Sequence, residues 1–291
     1  MTDGRSIYLQ LRNLARDRKR PLDELIVLYG LKRFLARLGR SPYARDFCLK
    51  GGILLSAHAL RRPTRDIDMQ ALDFELDVEH ITTVVGAVCD IDAQDGLELD
   101  PGSMAVEPIR EEDEYEGLRV SLSARVHTAK IQIKLDVSTG DPIWPKPEQV
   151  ELPALLGGFV EIQGHPLVTV IAEKTVTMLQ RGTTSIRWRD LLDIGVVADR
   201  SKFEAGELQE AVGRVAAHRS VQVVPLAPRL SGYQEVGQVK WAAWRRRQKV
   251  EHLCLGDLGE QVERVLAFVG PVFDGTLKAG SIWDPGSQAW S

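Results

Sequence analysis

The stretch KGGILLSAHALRRPTRDIDMQAL, residues 50–72, combines a glycine doublet with two aspartates that stand two positions apart. Gly51 and Gly52 lie between a short apolar approach and an apolar run, which predicts a turn that leads into a helix. From Asp66 onward, acidic and apolar residues alternate. A period of two predicts a β-strand with Asp66 and Asp68 on one face and their apolar neighbours on the other.

A second alternating region spans residues 117–138. Aliphatic residues alternate with polar residues in two runs, and a hairpin is the simplest structure that accounts for both. In the second run Lys134 and Asp136 share the face opposite the aliphatic residues. Asp136 is therefore predicted to project from a strand, as Asp66 and Asp68 do.

The rest of the chain suggests two lobes. Local patterns predict the following elements: helices at residues 21–38 and 75–92, a loop at 92–101, and an irregular proline-rich connector at 141–153. From residue 167 helical patterns dominate, and the Gly/Pro-rich tail is expected to be poorly ordered. We predict an α/β (α+β) fold, with a mixed-sheet lobe and N-terminal helices at 1–160, a helical lobe at 161–291, and the active site between them.

Composition excludes several classes of protein. The chain has 44% hydrophobic and 27% charged residues, as ordinary globular proteins do. No apolar run reaches the roughly 18 residues of a membrane span, and the N-terminus has no secretion-signal pattern. We expect a cytoplasmic protein with no membrane partner. Cys48, Cys89 and Cys254 lack ligand spacing, so neither disulfides nor structural zinc are expected.

The net charge of −4 hides a segregation of charge along the chain. Residues 1–50 carry twelve Lys/Arg against five Asp/Glu, whereas residues 71–116 carry fifteen Asp/Glu against one Arg. A further basic cluster at residues 240–249 is interleaved with Trp241 and Trp244. Such a surface is suited to contact phosphates and stack on bases. A solvated helix face is the alternative interpretation.

Three aspartates on neighbouring strands suit phosphoryl and nucleotidyl transfer. Hard cations held by carboxylates neutralise the attacking and leaving oxygens. We predict that Asp66 and Asp68 hold Mg²⁺ or Mn²⁺, and that Asp136 completes the site and accepts the proton of an incoming hydroxyl. Two acidic residues on one strand are common by themselves. Their combination with the glycine turn and a later strand aspartate is more specific.

This combination resembles the three-part signature of the polymerase-β nucleotidyltransferase superfamily. More narrowly, the segments KGGILL, PTRDIDM, KLDVSTGDP and EKTVTMLQRGTTSIRWRDLLDI resemble the AbiEii/AbiGii toxin family, which includes the MenT toxins, over about residues 45–200. The polar positions that match that family are Lys50, Thr64, Arg65, Asp66, Asp68, Lys134, Asp136, Glu173, Lys174, Arg181, Arg187, Arg189, Asp190 and Asp193.

The resemblance implies a toxin that transfers NMP from an NTP to RNA, notably the acceptor end of tRNA. It also implies a toxin–antitoxin or phage-defence operon and a cognate antitoxin. The residues assigned to catalysis are Asp66, Asp68, Asp136 and Lys174. The residues assigned to the nucleotide are Gly51, Gly52, Arg65, Lys134, Arg181, Asp190 and Asp193.

Two of these assignments have alternatives. Lys174 is expected to hold triphosphate oxygens, with Asp190 or Asp193 orienting it, but surface ion pairs that stabilise a helical hairpin are the other interpretation. Thr64 should lie at the mouth of the site. Its hydroxyl either forms a turn or cap, or accepts a regulatory phosphate whose negative charge would compete with the triphosphate.

Other acceptors also remain open. The same chemistry serves nucleotidyltransferases that modify small molecules or protein side chains, and a non-catalytic nucleotide-sensing or antitoxin-binding module would retain the fold. A cationic small molecule calls for an acidic pocket. An RNA acceptor calls for basic surfaces and salt-sensitive binding.

Overall fold

The computed structural model describes residues 3–58, 64–109, 117–183, 187–278 and 280–291. The chain divides into two compact units: Met1–Gly140 with Pro147–His165, and Asp141–Lys146 with Pro166–Ser291. The predicted mixed α/β fold is confirmed, because a seven-stranded mixed sheet accompanies nine α-helices in the described residues. The lobe boundary at residue 160 stays a prediction.

The first unit contains the large sheet and four helices among its described residues. The helices are α1 (Gly4–Asp17), α2 (Leu22–Leu38), α3 (Gly51–Leu55) and α4 (Val78–Cys89). The strands are β1 (Phe47–Lys50), β2 (Ile67–Ala71), β3 (Leu97–Ile109), β4 (Gly117–Val126), β5 (Ala129–Ser138), β6 (Glu148–Pro153) and β7 (Phe159–Gly164).

The strand order is β3-β4-β5-β2-β1-β7-β6. β2 runs parallel to β5, and β1 runs parallel to β7, whereas the other neighbours are antiparallel. The hairpin predicted at residues 117–138 is confirmed as β4 and β5. Val126 pairs with Ala129 across a two-residue turn, and this turn sets the register of the whole hairpin.

The two faces of the sheet differ in chemistry. On β5, Ile133, Leu135 and Val137 are buried and alternate with partly or fully exposed polar residues. Helix α2 covers this aliphatic face, and a Cβ added at its Gly30 would lie only 2.4 Å from Cδ1 of Ile131. Each aliphatic side chain buried there stabilises the unit by about 1.5–3 kcal/mol. The opposite face carries Asp136 and the other polar residues.

Helix α2 begins and ends where its sequence predicts. Pro21 precedes its first residue, and Asp23 and Glu24 lie in the first turn, where acidic side chains interact favourably with the helix dipole. Gly39 follows the last residue with a φ of −62°, so no left-handed conformation requires a glycine. Close packing explains why residue 39 is a glycine, because a Cβ there would lie 2.6 Å from the carbonyl oxygen of Glu161 on β7.

Two predicted irregular segments are wrong in part. The loop expected at residues 92–101 becomes strand β3 at Leu97, and a register shift between Asp100 and Ala105 accommodates the Pro-Gly pair inside it. The connector expected at residues 141–153 becomes strand β6 at Glu148. β6 is an edge strand, and edge strands tolerate proline. In both cases pairing with a distant strand overrides local composition.

The second unit is mainly helical. Its helices are α5 (Leu167–Arg181), α6 (Trp188–Ala198), α7 (Ala205–His218), α8 (Tyr233–Gln248) and α9 (Leu258–Phe273). Its strands are β8 (Phe203–Glu204), β9 (Ile282–Asp284) and β10 (Ala289–Trp290), which form a small antiparallel sheet.

The expected disorder of the C-terminal tail is wrong. Trp283 on β9 is only 2% exposed, and its ring centroid lies 4.9 Å from that of Phe268 on α9. The indole nitrogen of Trp283 donates to the carbonyl oxygen of Ala198 at 2.7 Å. Trp283 is therefore a buried aromatic anchor for a tail whose Gly and Pro content alone indicates disorder. Among the described residues, every helix is too short or too polar to cross a membrane.

Candidate active site

Four charged residues form a row across the polar face of the sheet. Lys50 on β1 pairs in register with Asp68 on β2. Asp68 in turn pairs with Asp136 on β5. Asp136 also pairs with Arg119 on β4. Register partners project to the same face, and neighbouring strands lie about 4.8 Å apart. The row therefore places two carboxylates side by side, with a cationic residue at each end.

Arg119 clamps the carboxylate of Asp136. Its Nε donates to Oδ1 at 2.7 Å and its Nη2 donates to Oδ2 at 2.6 Å. The fork of the guanidinium matches both oxygens, which makes this a charge-assisted, bidentate contact. The Arg119 side chain is 45% exposed and that of Asp136 is 16% exposed, so the pair lies at the open surface of the site.

Lys50 reaches across the sheet. Its Nζ donates to Oγ of Ser138 at 2.9 Å, and β2 lies between the strands of these two residues. The ammonium therefore passes over β2, the strand that carries Asp68. Burial and the nearby charge of Lys50 lower the pKa of His165 to about 3, so this fully buried imidazole is neutral at physiological pH.

Gly51 makes room for the carboxylate of Asp68. A Cβ at Gly51 would lie 1.9 Å from Oδ2 of Asp68, and the φ of +69° also favours glycine. Helix α3, which starts at Gly51, has only five residues, so its dipole is weak. The structure thus supplies a reason for this glycine that the sequence did not suggest. Nucleotide contacts of Gly51 and Gly52 stay predictions.

Asp66 immediately precedes the first residue of β2, and a residue two positions earlier in the chain contacts its carboxylate. The Thr64 hydroxyl donates to Oδ1 of Asp66 at 3.0 Å. The neighbouring Arg65 lies 3.8 Å from Asp23, and both side chains are more than 70% exposed, at 77% and 73%. An ion pair this exposed contributes little to stability. Arg65 is therefore available to a ligand at small energetic cost.

Lys134 lies one step along the polar face from Asp136. It is exposed on β5, and its register partner on β4 is Ser121. Alternation along β5 places Lys134 and Asp136 on the same face. The structure therefore brings one more predicted nucleotide ligand next to the row of charges.

The carboxylate oxygens of the aspartates are suitable ligands for a hard divalent cation, although they do not form a complete coordination shell by themselves. Within the described ranges, no group of three or more His, Cys, Asp or Glu side chains is arranged to hold a metal ion. Asp68 and Asp136 are nevertheless adjacent in register. Mg²⁺ typically uses one or two carboxylates, and substrate phosphates and water supply its other ligands. This pair of oxygen donors fits a cation that arrives with a nucleotide.

A separate charged cluster lies inside the second unit. Nζ of Lys174 lies 2.6 Å from Oδ1 of Asp190 and 3.0 Å from Oδ2 of Asp193. The two aspartate side chains are only 1% and 4% exposed. Arg187 also pairs with Asp190, with its Nε 2.7 Å from Oδ2. Lys174 thus links α5 to two buried carboxylates of α6.

Arg181 ends helix α5 at a small concavity that Arg187 and Tyr233 also line. Burial, and then the charge of Asp190, raise the pKa of Tyr233 well above its usual value. Tyr233 is therefore a neutral phenol at physiological pH. Arg189 is exposed in the first turn of α6.

The predicted base-stacking role of the tryptophans in the basic cluster is wrong. Trp241 and Trp244 are 0% and 8% exposed, and their rings stack on each other at 5.3 Å. Arg245 also turns inward, and its Nε contacts Sγ of Cys254 at 3.3 Å. The residues of this cluster that remain exposed on or next to α8 are Lys240, Arg246, Arg247 and Lys249. Their exposure fits both interpretations of the cluster, contact with phosphates and a solvated helix face.

Arg119 is the site residue that sequence reasoning missed. The signal was present in the hairpin, because a two-residue turn after Val126 places residue 119 opposite residue 136. Applying this register to the predicted strands would have placed a guanidinium beside Asp136.

A mixed sheet with aspartates on two adjacent parallel strands, bordered by a glycine turn, is the arrangement expected of a nucleotidyltransferase. Two crystal structures align with the chain. A candidate nucleotidyltransferase from H. pylori aligns with a TM-score of 0.50 and 16% identity over 87% of this chain and 96% of that one. The JHP933 protein from Helicobacter pylori aligns with a TM-score of 0.49 and 16% identity over 87% of this chain and 93% of that one. At 16% sequence identity, the alignment with the candidate nucleotidyltransferase from H. pylori shows similarity of fold alone.

The sequence comparison identifies the family. Residues 33–265 match the family described as "Nucleotidyl transferase AbiEii toxin, Type IV TA system". The match covers most of the chain, and the chain belongs to this family. The protein is therefore a nucleotidyltransferase of a toxin–antitoxin family, and the resemblance inferred from its motifs is confirmed. No curated protein matches the sequence.

Proposed function

We propose that the protein transfers a nucleoside monophosphate from an NTP to the 3′ hydroxyl of an RNA, with tRNA as the acceptor, in a reaction that requires a divalent metal ion. The observation that carries this proposal is the side-by-side placement of Asp68 and Asp136 on parallel strands. As a toxin, the enzyme would arrest growth by modifying the acceptor RNA, and a cognate antitoxin would oppose it. A phage-defence role and a cytoplasmic location stay predictions.

We assign separate steps of the reaction to Asp68 and Asp136 of the row and to the neighbouring Asp66, Lys134 and Arg65. Asp66, Asp68 and Asp136 would hold Mg²⁺ or Mn²⁺, which supplies positive charge for the triphosphate and the attacking oxygen. Asp136 accepts the proton of the RNA hydroxyl. The hydroxyl oxygen bonds to the α-phosphorus, the bond from the α-phosphorus to its bridging oxygen breaks, and pyrophosphate leaves. Lys134 and Arg65 contact phosphate oxygens.

The residues of the second unit are proposed to contact the nucleotide rather than the metal ion. Lys174 is proposed to contact phosphate as a point charge, and Arg181 to add a forked contact. The ion pairs of Lys174 with Asp190 and Asp193 support the orienting role proposed for these aspartates. They equally support a purely structural role, so the effects of mutation have to distinguish the two.

An RNA acceptor is supported by exposed basic surface. Lys240, Arg246 and Arg247 project from α8, and Arg12 and Arg16 project from α1. Contacts of such residues with phosphates release counterions, so RNA binding should weaken steeply as salt is raised. Because the two indoles of α8 are buried, these contacts would be with the RNA backbone rather than with its bases.

Labelled nucleotides test the proposed function directly. The protein is incubated with each of the four NTPs labelled at the α-phosphate, Mg²⁺, and separate fractions of RNA, protein and small molecules. We expect label at the 3′ end of tRNA, release of pyrophosphate, and loss of both when EDTA removes the metal. Label in the protein or small-molecule fraction would replace the proposed acceptor. Nucleotide binding without pyrophosphate release in any fraction would contradict the proposed reaction.

Thr64 is proposed as a regulatory position because its hydroxyl contacts Asp66. A phosphate there adds about −1.5 to −2 charges beside the carboxylates and repels the triphosphate. We expect Thr64→Glu to reduce transfer about tenfold or more, since a like charge in a site costs more than about 1.4 kcal/mol. Thr64→Val is the control, because it removes the hydrogen bond without adding charge. Equal rates for the two variants in the transfer assay would refute regulation by charge.

A further inference from the structure

Arg119 stands between two acidic residues of neighbouring strands. On one side its register partner is Asp136 on β5, and on the other side its register partner is Glu107 on β3. All three side chains therefore project from the polar face of the sheet. Glu107 is exposed, and the Arg119 side chain is 45% exposed, so the guanidinium has room to turn.

The position that Arg119 adopts matters for cation binding. Its two nitrogens lie 2.7 and 2.6 Å from the two carboxylate oxygens of Asp136, so both oxygens are engaged by one guanidinium. A divalent cation coordinates the same oxygens, at about 2.0–2.1 Å for Mg²⁺. Two positive charges cannot approach one carboxylate this closely without repulsion. A cation at Asp136 therefore competes electrostatically with the guanidinium for this carboxylate.

We propose that Arg119 is a built-in competitor of the divalent cation at Asp136, and that Glu107 receives the guanidinium when the cation binds. The inference rests on the metal-binding role of Asp136 in the proposed function. Arg119 is a positioning residue in this scheme, since it acts through Asp136 rather than on the substrate. The exchange makes the metal site weak in the free enzyme, and the nucleotide phosphates then add the ligands that favour the cation.

The scheme predicts opposite effects for the two partners of the exchange. Arg119→Gln removes the competitor and should tighten Mn²⁺ binding about fivefold, the scale of a well-formed but partly exposed ion pair. Glu107→Gln removes the receiving carboxylate and should weaken Mn²⁺ binding about twofold. The double variant should bind Mn²⁺ as Arg119→Gln does, because Glu107 acts only through Arg119. Arg119→Lys keeps the charge without the fork and should give an intermediate affinity.

The experiment is a Mn²⁺ titration of the full-length protein without nucleotide, with free Mn²⁺ measured by electron paramagnetic resonance. Arg125 and Glu98 form a matched control pair on the same two strands, 54% and 60% exposed. Arg125→Gln and Glu98→Gln should each leave Mn²⁺ affinity unchanged. In an Asp136→Asn background, Arg119→Gln should also have no effect, which separates competition for the carboxylate from simple charge repulsion.

Three outcomes would overturn the inference. These are equal or weaker Mn²⁺ binding by Arg119→Gln, an effect of that variant that persists with Asp136→Asn, and no Mn²⁺ binding by the wild-type protein. Melting temperatures are measured for all variants to check that they are folded. Arg119→Lys replaces Arg119→Gln in the comparison if the Gln variant does not fold. Should Arg119→Gln fail to tighten Mn²⁺ binding while the wild type still transfers nucleotides, the inference fails and the proposed function stands. Absence of transfer by the wild type refutes the function itself.

Discussion

Replacing Asp68 by asparagine is expected to reduce nucleotide transfer on the order of a thousandfold, because it removes one of the two adjacent carboxylates while keeping the shape of the side chain. The amide has no negative charge to hold a cation against the triphosphate. Gly51 leaves room for either side chain, so the backbone has no reason to move. Asp66→Ala should likewise abolish transfer with the fold intact.

The measurement is the initial rate of pyrophosphate release at saturating NTP, together with the melting temperature of each variant. Asp100→Asn is the matched control, since Asp100 is exposed on β3 of the same sheet. It should retain the wild-type rate. An Asp68→Asn enzyme that is folded and transfers nucleotide at more than about a tenth of the wild-type rate would contradict the assignment of the metal ligands.

Replacing Lys174 by alanine is expected to destabilise the protein by about 3–5 kcal/mol. Its ammonium pairs with both Asp190 and Asp193, which are almost completely buried within the second unit. Removing it takes away the ammonium that lies between two carboxylates in a region of low dielectric constant, while Arg187 remains beside Asp190. This loss is far larger than that of an exposed ion pair, which contributes up to about 1 kcal/mol.

Urea unfolding of the wild type and the variant measures this loss. Arg125→Ala is the control, because it breaks an exposed pair and should change the free energy of unfolding by less than about 1 kcal/mol. Adding Asp193→Asn to Lys174→Ala should recover part of the stability, since one of the two buried negative charges is gone. If Lys174→Ala retains wild-type stability but loses transfer, the phosphate-binding interpretation is favoured over the structural one.

The elements that the sequence predicted well are those with a local signal. The period of two around Ile67 and Met69 marks β2, and the same period with a short turn marks the hairpin that carries Asp136. A strand with one buried face has a specified register, because a shift by one residue would bury its polar side chains. Family resemblance and alternation therefore sufficed to place all three aspartates on or directly before strands.

The elements that were missed depend on pairing with distant residues. Strand β3 contains Pro and Gly and strand β6 contains Pro, and pairing with their partners β4 and β7 makes them strands. Likewise, Trp241 next to basic residues resembles a nucleic-acid surface, although its indole nitrogen donates to the carbonyl oxygen of Leu255 inside the unit. Exposure is a tertiary property, and a short basic aromatic segment does not encode it.

The central claim is that the row containing Asp68 and Asp136 is the site of nucleotide transfer. The most direct measurement is label transfer from each α-labelled NTP to tRNA with Mg²⁺, run side by side for the wild type, Asp68→Asn and the Asp100→Asn control. We predict label at the tRNA 3′ end for the wild type and the control, and none above background for Asp68→Asn. Equal labelling by the wild type and a folded Asp68→Asn protein would contradict the claim.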